Sequence, residues 1–135
     1  MAQRLLKILV IDDDKEICNL IKESLQLTGK YKVLLANKGN IGTWLAACRW
    51  HKPDLVLLDI MMPGMDGFQI LKRLRDDPKT TYIPVAMLTA RVDVQAKIQA
   101  EGLYCDDYIP KPIELKALQE RIEAILKKRG IISQP

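Results

Sequence analysis

Three short segments of the chain are almost continuously apolar: Leu6 to Ile11 (LKILVI), Leu55 to Leu58 (LVLL) and Ile83 to Leu88 (IPVAML). A strand with one face in water alternates apolar and polar residues, whereas a strand covered on both faces does not. These segments therefore predict strands of a parallel sheet that is covered by helices on both sides. Two weaker segments, Lys32 to Ala36 and the Tyr108–Ile109 pair, bring the predicted strands to five.

The stretches between these strands carry apolar residues at helical spacing, which predicts five helices. Alternating strands and helices with right-handed crossovers give an α/β, doubly wound, three-layer sandwich. The fourth helix, about Val94 to Glu101, is the least amphipathic, and the fifth ends before Gly130. The other helices have stripes that we expect to lie in the core: Ile17, Leu20, Ile21 and Leu25; Ile41, Trp44, Leu45 and Cys48; Phe68, Leu71 and Leu74; and Leu115, Leu118, Ile122, Ile125 and Leu126.

The composition is that of one ordinary globular domain. The chain has 135 residues and is 48% hydrophobic, and no apolar run approaches the roughly 18 residues of a membrane span. The charge of +4 is scattered, which favours a solvated surface over a nucleic-acid patch. Cys18, Cys48 and Cys105 form no CxxC pair, so we expect reduced thiols. Residues 1–129 are expected to form the domain, and 130–135 a frayed tail or the start of a linker.

Polar side chains follow most of the predicted strands, at the edge where an open parallel sheet places its site. Because carboxyl ends of parallel strands share one edge, these side chains are expected to converge. Three strands are followed by carboxylate or hydroxyl groups and a fourth by an amine. In chain order these residues are Asp12, Asp13 and Asp14, then Asp59, then Thr89 and Ala90, and finally Lys111 and Pro112.

Converging carboxylates without histidine or cysteine favour a hard divalent ion, Mg²⁺ before Ca²⁺. The DDDKE stretch lacks the spacing of a calcium loop. A single hydroxyl and a single amine suit phosphoryl oxygens, so the set indicates phosphoryl transfer with an aspartate as a possible covalent acceptor. Taken one at a time, Asp14 and Thr89 are equally well explained as helix caps and Lys111 as a surface residue.

Four motifs in this order and spacing, ILVIDDD, LVLLDIMMPGMDG, MLTA and DDYIPKP, resemble the receiver domain of bacterial two-component response regulators of the chemotaxis type. The resemblance covers about Leu5 to Lys128, and Thr89 and Lys111 lie 30 and 52 residues after Asp59. It implies a flavodoxin-like sheet of five parallel strands in the order 2-1-3-4-5. It also implies a cytoplasmic, bacterial protein.

The resemblance further implies a role for each site residue. Asp59 is expected to be the phosphoacceptor, and Thr89 and Lys111 are expected to contact phosphoryl oxygens. Thr89 and Tyr108 are expected to form the switch, and the Lys111–Pro112 peptide bond to be cis. The implied Mg²⁺ ligands are the carboxylates of Asp13 and Asp59, the backbone carbonyl of Met61 and, through water, Asp12. Asp14 is not a ligand in this reading.

The loop after Asp59 also has a physical interpretation. Pro63 and Gly64 predict a sharp turn, Asp66 can cap the third helix, and Gly67 permits close backbone approach. The sequence departs from the family before the fifth strand, where Tyr104 and Cys105 replace the usual Gly-Ala and put the local turn in question.

The implied function is phosphoacceptor signalling. The phosphoryl donor would be a sensor histidine kinase or a histidine phosphotransfer protein, and the only catalysis would be self-phosphorylation and slow self-dephosphorylation. The output surface would be the face made by the fourth helix, fifth strand and fifth helix, which supports homodimers in some relatives. Asp107 and Arg121 fit a charged network there, whereas Ala117 and Glu123 do not obviously fit one. We expect no direct contact with nucleic acid or membrane, and the sequence identifies neither kinase nor output.

Three other readings stay open. A phosphatase of the haloacid-dehalogenase type also uses aspartate, threonine and lysine, but its nucleophile would lie in the first strand's Asp12–Asp14 stretch. A flavodoxin-like mononucleotide carrier would need a loop after the first strand that is not acidic, because carboxylates there would repel phosphate without a metal. A receiver-shaped adaptor would bind partners without being phosphorylated.

Overall fold

Strands and helices alternate along the part of the chain that the computed structural model describes, residues 4–47, 50–91 and 93–133. The side chains of residues 42, 44, 45 and 47 are not described. The strands are β1 (Leu6–Ile11), β2 (Tyr31–Ala36), β3 (Leu55–Leu58), β4 (Val85–Thr89) and β5 (Asp107–Pro110). The helices are α1 (Lys15–Leu27), α2 (Gly39–Ala47), α3 (Gly67–Asp76), α4 (Val94–Gly102) and α5 (Leu115–Lys128).

The five strands form one parallel sheet in the order β2-β1-β3-β4-β5, as the resemblance implied. At the carboxyl edge, Ile11 pairs with Ala36 on one side and with Leu58 on the other, and Thr89 pairs with Pro110. Residues that directly follow β1, β3 and β4 therefore leave the sheet side by side. This register decides which side chains can share a site.

Alternate residues of the central strands enter two separate cores. Leu9 and Ile11 of β1 pack in a core with residues of α3 and α4, whereas Ile8 and Val10 pack with residues of α1 and α5. Both faces of β1 are thus covered, which explains why its sequence is nearly all apolar. The predicted doubly wound three-layer sandwich is confirmed.

Aspartate caps fix the starts of three helices that follow strands at the carboxyl edge. The Asp14 carboxylate accepts the Glu16 and Ile17 amides at the start of α1. Asp66 forms a reciprocal capping box with Gln69 at the start of α3, as predicted for Asp66. The Asp93 carboxylate accepts the Ala96 amide at the start of α4. Each cap satisfies helix amides that would otherwise lack a partner.

Two predicted core residues are in fact exposed. Leu20 of α1 has 51% of its surface accessible, and Ile41 of α2 is also largely exposed. In α1 the buried stripe is Cys18, Ile21 and Leu25, because these positions face the sheet and Leu20 lies on the outer side. The stripes of α3 and α5 are confirmed apart from Leu115, which is only half-buried. The side chains of Trp44 and Leu45, and Cys48 altogether, lie outside the described residues.

The fourth strand begins two residues later than predicted. Ile83 is buried, but its amide closes a turn onto the Thr80 carbonyl. Pro84 has no N–H to offer a neighbouring strand and contributes only its carbonyl, which accepts from the Val56 amide. Regular pairing therefore starts at Val85.

The segment after α5 is not frayed where it is described. Gly130 ends the helix with a φ of +73°, as expected of a glycine in this position. The amides of Ile131 and Ile132 then bond to the Leu126 carbonyl, and both side chains pack against the core between the sheet, α1 and α5. Ile131 and Ile132 are therefore packed against the domain, whereas the boundary after residue 129, with 130–135 as a tail or the start of a linker, stays a prediction.

The turn into β5 is built in an unusual way. Tyr104 has a φ of +62°, a conformation that residues with a side chain rarely adopt. The Arg75 guanidinium donates two hydrogen bonds to the Tyr104 carbonyl, at 2.8 and 3.2 Å, and pairs with Asp106 at 3.2 Å. Asp106 also accepts the Val85 amide and pairs with Arg129. A half-buried arginine of α3 and an exposed arginine at the end of α5 thus hold a turn where the resembled family usually has glycine.

Candidate functional site at the carboxyl edge of the sheet

Three of the predicted site carboxylates meet at the carboxyl edge. One oxygen each from Asp12, Asp13 and Asp59 lie within 4.8 Å of one another. Asp12 and Asp59 are buried, with 2% and 6% of their surface accessible, whereas Asp13 is exposed. The site is therefore open to solvent on the Asp13 side. Asp14 is not part of this cluster, because its carboxylate caps α1.

Strand pairing positions Asp12 and Asp59. The Asp59 amide bonds to the Ile11 carbonyl at 3.0 Å, and the Asp12 amide bonds to the Ala36 carbonyl at 3.1 Å. One Asp12 carboxylate oxygen then accepts the Asp14 amide at 2.9 Å. The backbones of both aspartates are consequently fixed by the adjoining strands.

Sequence reasoning missed two side chains that support Asp12. Asn37 donates to the Asp12 carbonyl at 2.8 Å, and the Cys18 thiol lies 3.4 Å from the same oxygen. Asn37 directly follows β2, so the rule that selected residues after the other strands would also have found it. Burial, together with the nearby Asp12 and Asp14 charges, raises the pKa of Cys18 to about 11. This thiol therefore stays protonated at neutral pH.

Lys111 bridges the two buried carboxylates. Its Nζ donates to Asp12 Oδ2 at 2.6 Å and to Asp59 Oδ2 at 3.2 Å. The Lys111 amide bonds to the Thr89 carbonyl at 2.8 Å, which ties β5 to β4 beside the site. The Lys111–Pro112 peptide bond is cis, as the resemblance implied.

Burial and charge act against each other in this ion pair. Burial raises the pKa of Asp12 above its ordinary value, although the Lys111 hydrogen bond and the Asp14 amide act to lower it. Burial lowers the pKa of Lys111, but the hydrogen bond and charge of Asp12, with Asp59, outweigh burial and leave that pKa raised. Lys111 is therefore an ammonium group at neutral pH.

The loop after Asp59 is drawn close to the site by its own backbone. The Met61 amide donates to Asp59 Oδ1 at 3.2 Å, and the Gly67 amide bonds to the Ile60 carbonyl at 2.9 Å. A Cβ on Gly67 would lie 2.6 Å from the Ile60 Cα and nearer still to the Asp59 carbonyl oxygen. The predicted close approach at Gly67 is therefore present, and Gly64 turns the chain with a φ of +84°.

Thr89 and Tyr108, the two predicted switch residues, are connected through a third residue that sequence reasoning missed. Thr89 is fully buried, and its Oγ1 accepts the Arg91 amide at 3.1 Å. The Tyr108 hydroxyl donates to the Arg91 carbonyl. The Tyr108 ring is half-buried and packs against the core on the α3 and α4 side. The ring therefore lies inward in this structure.

The donor set fits a hard divalent cation. Within residues 4–47, 50–91 and 93–133, this is the one group of three or more acidic, histidine or cysteine side chains spaced to hold a metal. All its donors are carboxylate oxygens, which suit Mg²⁺ or Ca²⁺. Three carboxylates and the Lys111 ammonium leave a formal charge of −2, which a divalent ion would balance.

The fold and site together define a flavodoxin-like α/β domain with an acidic, lysine-bridged site at the carboxyl edge of its sheet. Residues 8–123 match the family described as the response regulator receiver domain. The chain belongs to this family.

Several curated proteins are similar over nearly the whole chain. The DNA-binding dual master transcriptional regulator RpaA of Synechocystis is 41% identical over 95% of this chain and 52% of its own length. The phosphate regulon transcriptional regulatory protein PhoB of Pseudomonas aeruginosa is 39% identical over 91% of this chain and 52% of its own length. The chain thus spans about half the length of these relatives.

Solved structures show the same fold. A CheY-like response regulator receiver domain protein from Methanospirillum hungatei superposes with a TM-score of 0.85 at 26% identity, over 94% of this chain and 98% of its own. A putative response regulator from Chloroflexus aurantiacus does so with a TM-score of 0.82 at 32% identity, over 91% of this chain and 98% of its own. These findings favour phosphoacceptor signalling over the phosphatase and adaptor readings. Among the described residues, no helix has the length and apolar character to cross a membrane.

Proposed function

We propose that this receiver domain takes a phosphoryl group onto the carboxylate of Asp59. The observation that carries the proposal is the arrangement of Asp12, Asp13 and Asp59 within 4.8 Å, with Lys111 bonded to Asp59. Asp59 is the member of this cluster that lies at the end of the central strand β3. Both buried carboxylates accept one backbone amide and the Lys111 ammonium, but the bonds to Asp59 are both 3.2 Å long, whereas those to Asp12 are 2.9 and 2.6 Å, so Asp59 is the less tightly held of the two.

Mg²⁺ is the proposed cofactor. Asp13, Asp59 and the Met61 backbone carbonyl would hold it directly, and Asp12 would do so through water. When bound, the ion would neutralise negative charge on the transferring oxygens. The support is the oxygen-only donor set and its formal charge of −2.

The chemistry of the chain's own residues is a simple displacement. A carboxylate oxygen of Asp59 attacks the phosphorus of a phosphohistidine, so that an O–P bond forms and the N–P bond breaks. The histidine nitrogen leaves with the bonding pair, and the product is an aspartyl phosphate. Water later attacks the phosphorus, releases inorganic phosphate and restores the carboxylate. The Lys111 ammonium and the Thr89 hydroxyl each hold a phosphoryl oxygen during these steps.

Phosphorylation is proposed to act through Thr89 and Tyr108. The phosphoryl group adds strong acceptor oxygens beside the buried Thr89 hydroxyl, which turns towards them. That movement changes the loop between β4 and α4, because the Arg91 amide is bonded to the same hydroxyl. The Tyr108 hydroxyl is bonded to the other side of Arg91 and follows the loop. Phosphorylation would thereby switch the surface around α4, β5 and α5 between two conformations.

Partners are proposed from the same chemistry. A sensor histidine kinase or a histidine phosphotransfer protein would supply the phosphoryl group in the cytoplasm. The matched transcriptional regulators suggest a regulatory output. Dimerisation through the α4-β5-α5 face is supported by the exposed apolar Val94 and Ile98 of α4. Asp107 and Arg121 on this face lie 3.3 Å apart within the chain, so a dimer would have to share or exchange this pair.

A labelling experiment tests the proposed function. Wild type incubated with radioactive acetyl phosphate and Mg²⁺ should incorporate phosphate, and excess EDTA should prevent it. Asp59→Asn should abolish incorporation because an amide is a poor nucleophile. Asp14→Asn is the matched control, since asparagine caps helices as well as aspartate does. Equal labelling of wild type and Asp59→Asn would show that the acceptor is a different residue.

A further inference from the structure

Arg91, the second residue after β4, joins several parts of the molecule through separate groups. Its amide and carbonyl bond to Thr89 and Tyr108, as described above. Its guanidinium lies 5.6 Å from the centre of the Phe68 ring and donates to the Asp93 carboxylate at 2.7 Å. The proposed phosphoryl transfer uses neither side-chain contact. The guanidinium therefore has two partners that the function so far leaves unexplained.

The Phe68 ring is a fixed anchor. It is buried in the first turn of α3 and belongs to the core between the sheet, α3 and α4. This helix is tied to the site, because the Gly67 amide bonds to the carbonyl of Ile60, the residue after Asp59. A guanidinium over an aromatic face is attracted by the ring's negative face. The contact thus fastens the loop of Arg91 to a helix that begins beside the acceptor.

The Asp93 carboxylate is a second fixed point. One of its oxygens accepts the Ala96 amide at 2.9 Å and caps α4, while the other accepts from Arg91. The ion pair raises the pKa of Arg91 and lowers that of Asp93, so both groups are charged at neutral pH. Phe68 and Asp93 therefore hold the guanidinium, while Thr89 and Tyr108 bond to the backbone of Arg91.

We propose that the Arg91 side chain is a positioning residue that clamps the loop between β4 and α4 against Phe68 and so keeps Tyr108 inward. The clamp fixes the carbonyl that accepts the Tyr108 hydroxyl. It is present before phosphorylation, so its direct effect is on the resting ratio of inward to outward Tyr108. Its importance for signalling rests on the proposed function, in which Tyr108 is the switch.

The test measures the Tyr108 ring directly by aromatic NMR of tyrosine-labelled protein, with Tyr108→Phe to assign its resonance. Arg91→Gln removes the cation, Arg91→Lys keeps a charge, and Phe68→Leu keeps an apolar side chain without a ring face. We expect Arg91→Gln and Phe68→Leu each to lower the inward-to-outward ratio about two- to fivefold, the effect of an exposed cation–π contact. The double variant should show little further change, and Arg91→Lys should restore part of the wild-type ratio. Arg73→Gln, on an exposed part of α3, should leave the ratio unchanged.

Acetyl phosphate labelling of the same variants separates this inference from the proposed function. Arg91→Gln should still take label at Asp59, and a rate that differs from wild type by no more than the shift in the Tyr108 ratio, about two- to fivefold, supports a positioning role, whereas a complete loss of label would overturn it. An unchanged Tyr108 resonance in Arg91→Gln and Phe68→Leu would overturn the clamp, and so would fully additive effects in the double variant. If the wild type takes no label, the proposed function is overturned. The Tyr108 resonance is recorded without phosphodonor, so it would still show whether Arg91 and Phe68 hold Tyr108 inward.

Discussion

The Lys111 ammonium donates a 2.6 Å hydrogen bond to the Asp12 carboxylate, which lies 99 residues away in the chain. The same nitrogen reaches Asp59 at 3.2 Å, so one cation joins the ends of β1, β3 and β5. Asp12 follows β1 and Lys111 follows β5, and the order of the strands in the sheet is what brings these two strand ends together. The Lys111–Asp12 pair is therefore a direct consequence of the order β2-β1-β3-β4-β5.

Removing Lys111 should change stability and metal affinity in opposite directions. Lys111→Met leaves the buried Asp12 without its cation, and we expect a loss of about 3 kcal/mol in EDTA. The cluster then carries a formal charge of −3, so Mg²⁺ should bind more tightly and raise the melting temperature more than in wild type. Thermal unfolding with and without Mg²⁺ measures both effects. Lys116→Met, on an exposed position of α5, is the control, and an equal Mg²⁺ response in all three proteins would contradict the charge argument.

The two exposed aspartates of the DDD stretch should differ in metal binding. Asp13→Asn removes a carboxylate from the cluster, and we expect the Mg²⁺ dissociation constant to rise about tenfold or more. Asp14→Asn removes the same charge from the neighbouring residue but keeps the cap of α1, so its effect should be much smaller. Titration calorimetry with Mg²⁺ compares the two variants. A similar loss of Mg²⁺ affinity in both variants would mean that Asp13 contributes only its charge and is not a ligand of the ion.

Gly67 should be intolerant of a single added carbon. Gly67→Ala would force a Cβ against the Asp59 carbonyl and the Ile60 Cα, which are backbone atoms that cannot rotate away. We expect a loss of about 1–3 kcal/mol in the free energy of unfolding. Gly102→Ala is the control, because its Cβ would meet nothing within 4 Å at the end of α4, and alanine favours helix there. Denaturant unfolding of both variants decides the point, and equal stabilities would rule out the clash.

Tyr104 should be a position where glycine stabilises the protein. Its φ of +62° costs a residue with a side chain about 1 kcal/mol. Tyr104 is 78% exposed, so removing its side chain should sacrifice little buried apolar surface. Tyr104→Gly keeps the carbonyl that Arg75 holds, so we expect a gain of about 0.5–1 kcal/mol. The same change at Gln99, an exposed helical residue of α4, should instead cost up to about 1 kcal/mol. A loss of stability in Tyr104→Gly would show that the ring makes a needed contact.

Local patterns in the sequence were enough to place much of the fold. The strands β1 and β3 have the predicted bounds, because continuous apolar runs end abruptly at aspartate. The start of β4 was misplaced because the apolar run continues through Pro84, which has no N–H to donate to a neighbouring strand, so that regular pairing starts only at Val85. Leu20 was assigned to the core because hydrophobicity alone favours leucine over the neighbouring Cys18, which the sheet actually covers.

The site could be predicted as a set of residues but not as a geometry. The strand-end rule selected Asp12, Asp13, Asp59, Thr89 and Lys111, and the cluster around Asp59 contains the first three with Lys111 bonded to it. The rule did not reveal that Lys111 would bridge two carboxylates, because this depends on β1 and β5 lying on opposite sides of β3 and β4. Asn37 and Arg91 follow strands in the same way and were overlooked because neither is acidic or nucleophilic.

The most direct test of the central claim is to locate the phosphorylated residue chemically. Protein labelled with acetyl phosphate in the presence of Mg²⁺ is treated with borohydride, which reduces an aspartyl phosphate to homoserine, and then sequenced by mass spectrometry. We expect homoserine at position 59 and unmodified aspartate at positions 12, 13 and 14. Homoserine within positions 12–14, or phosphate bound to any other residue, would contradict it.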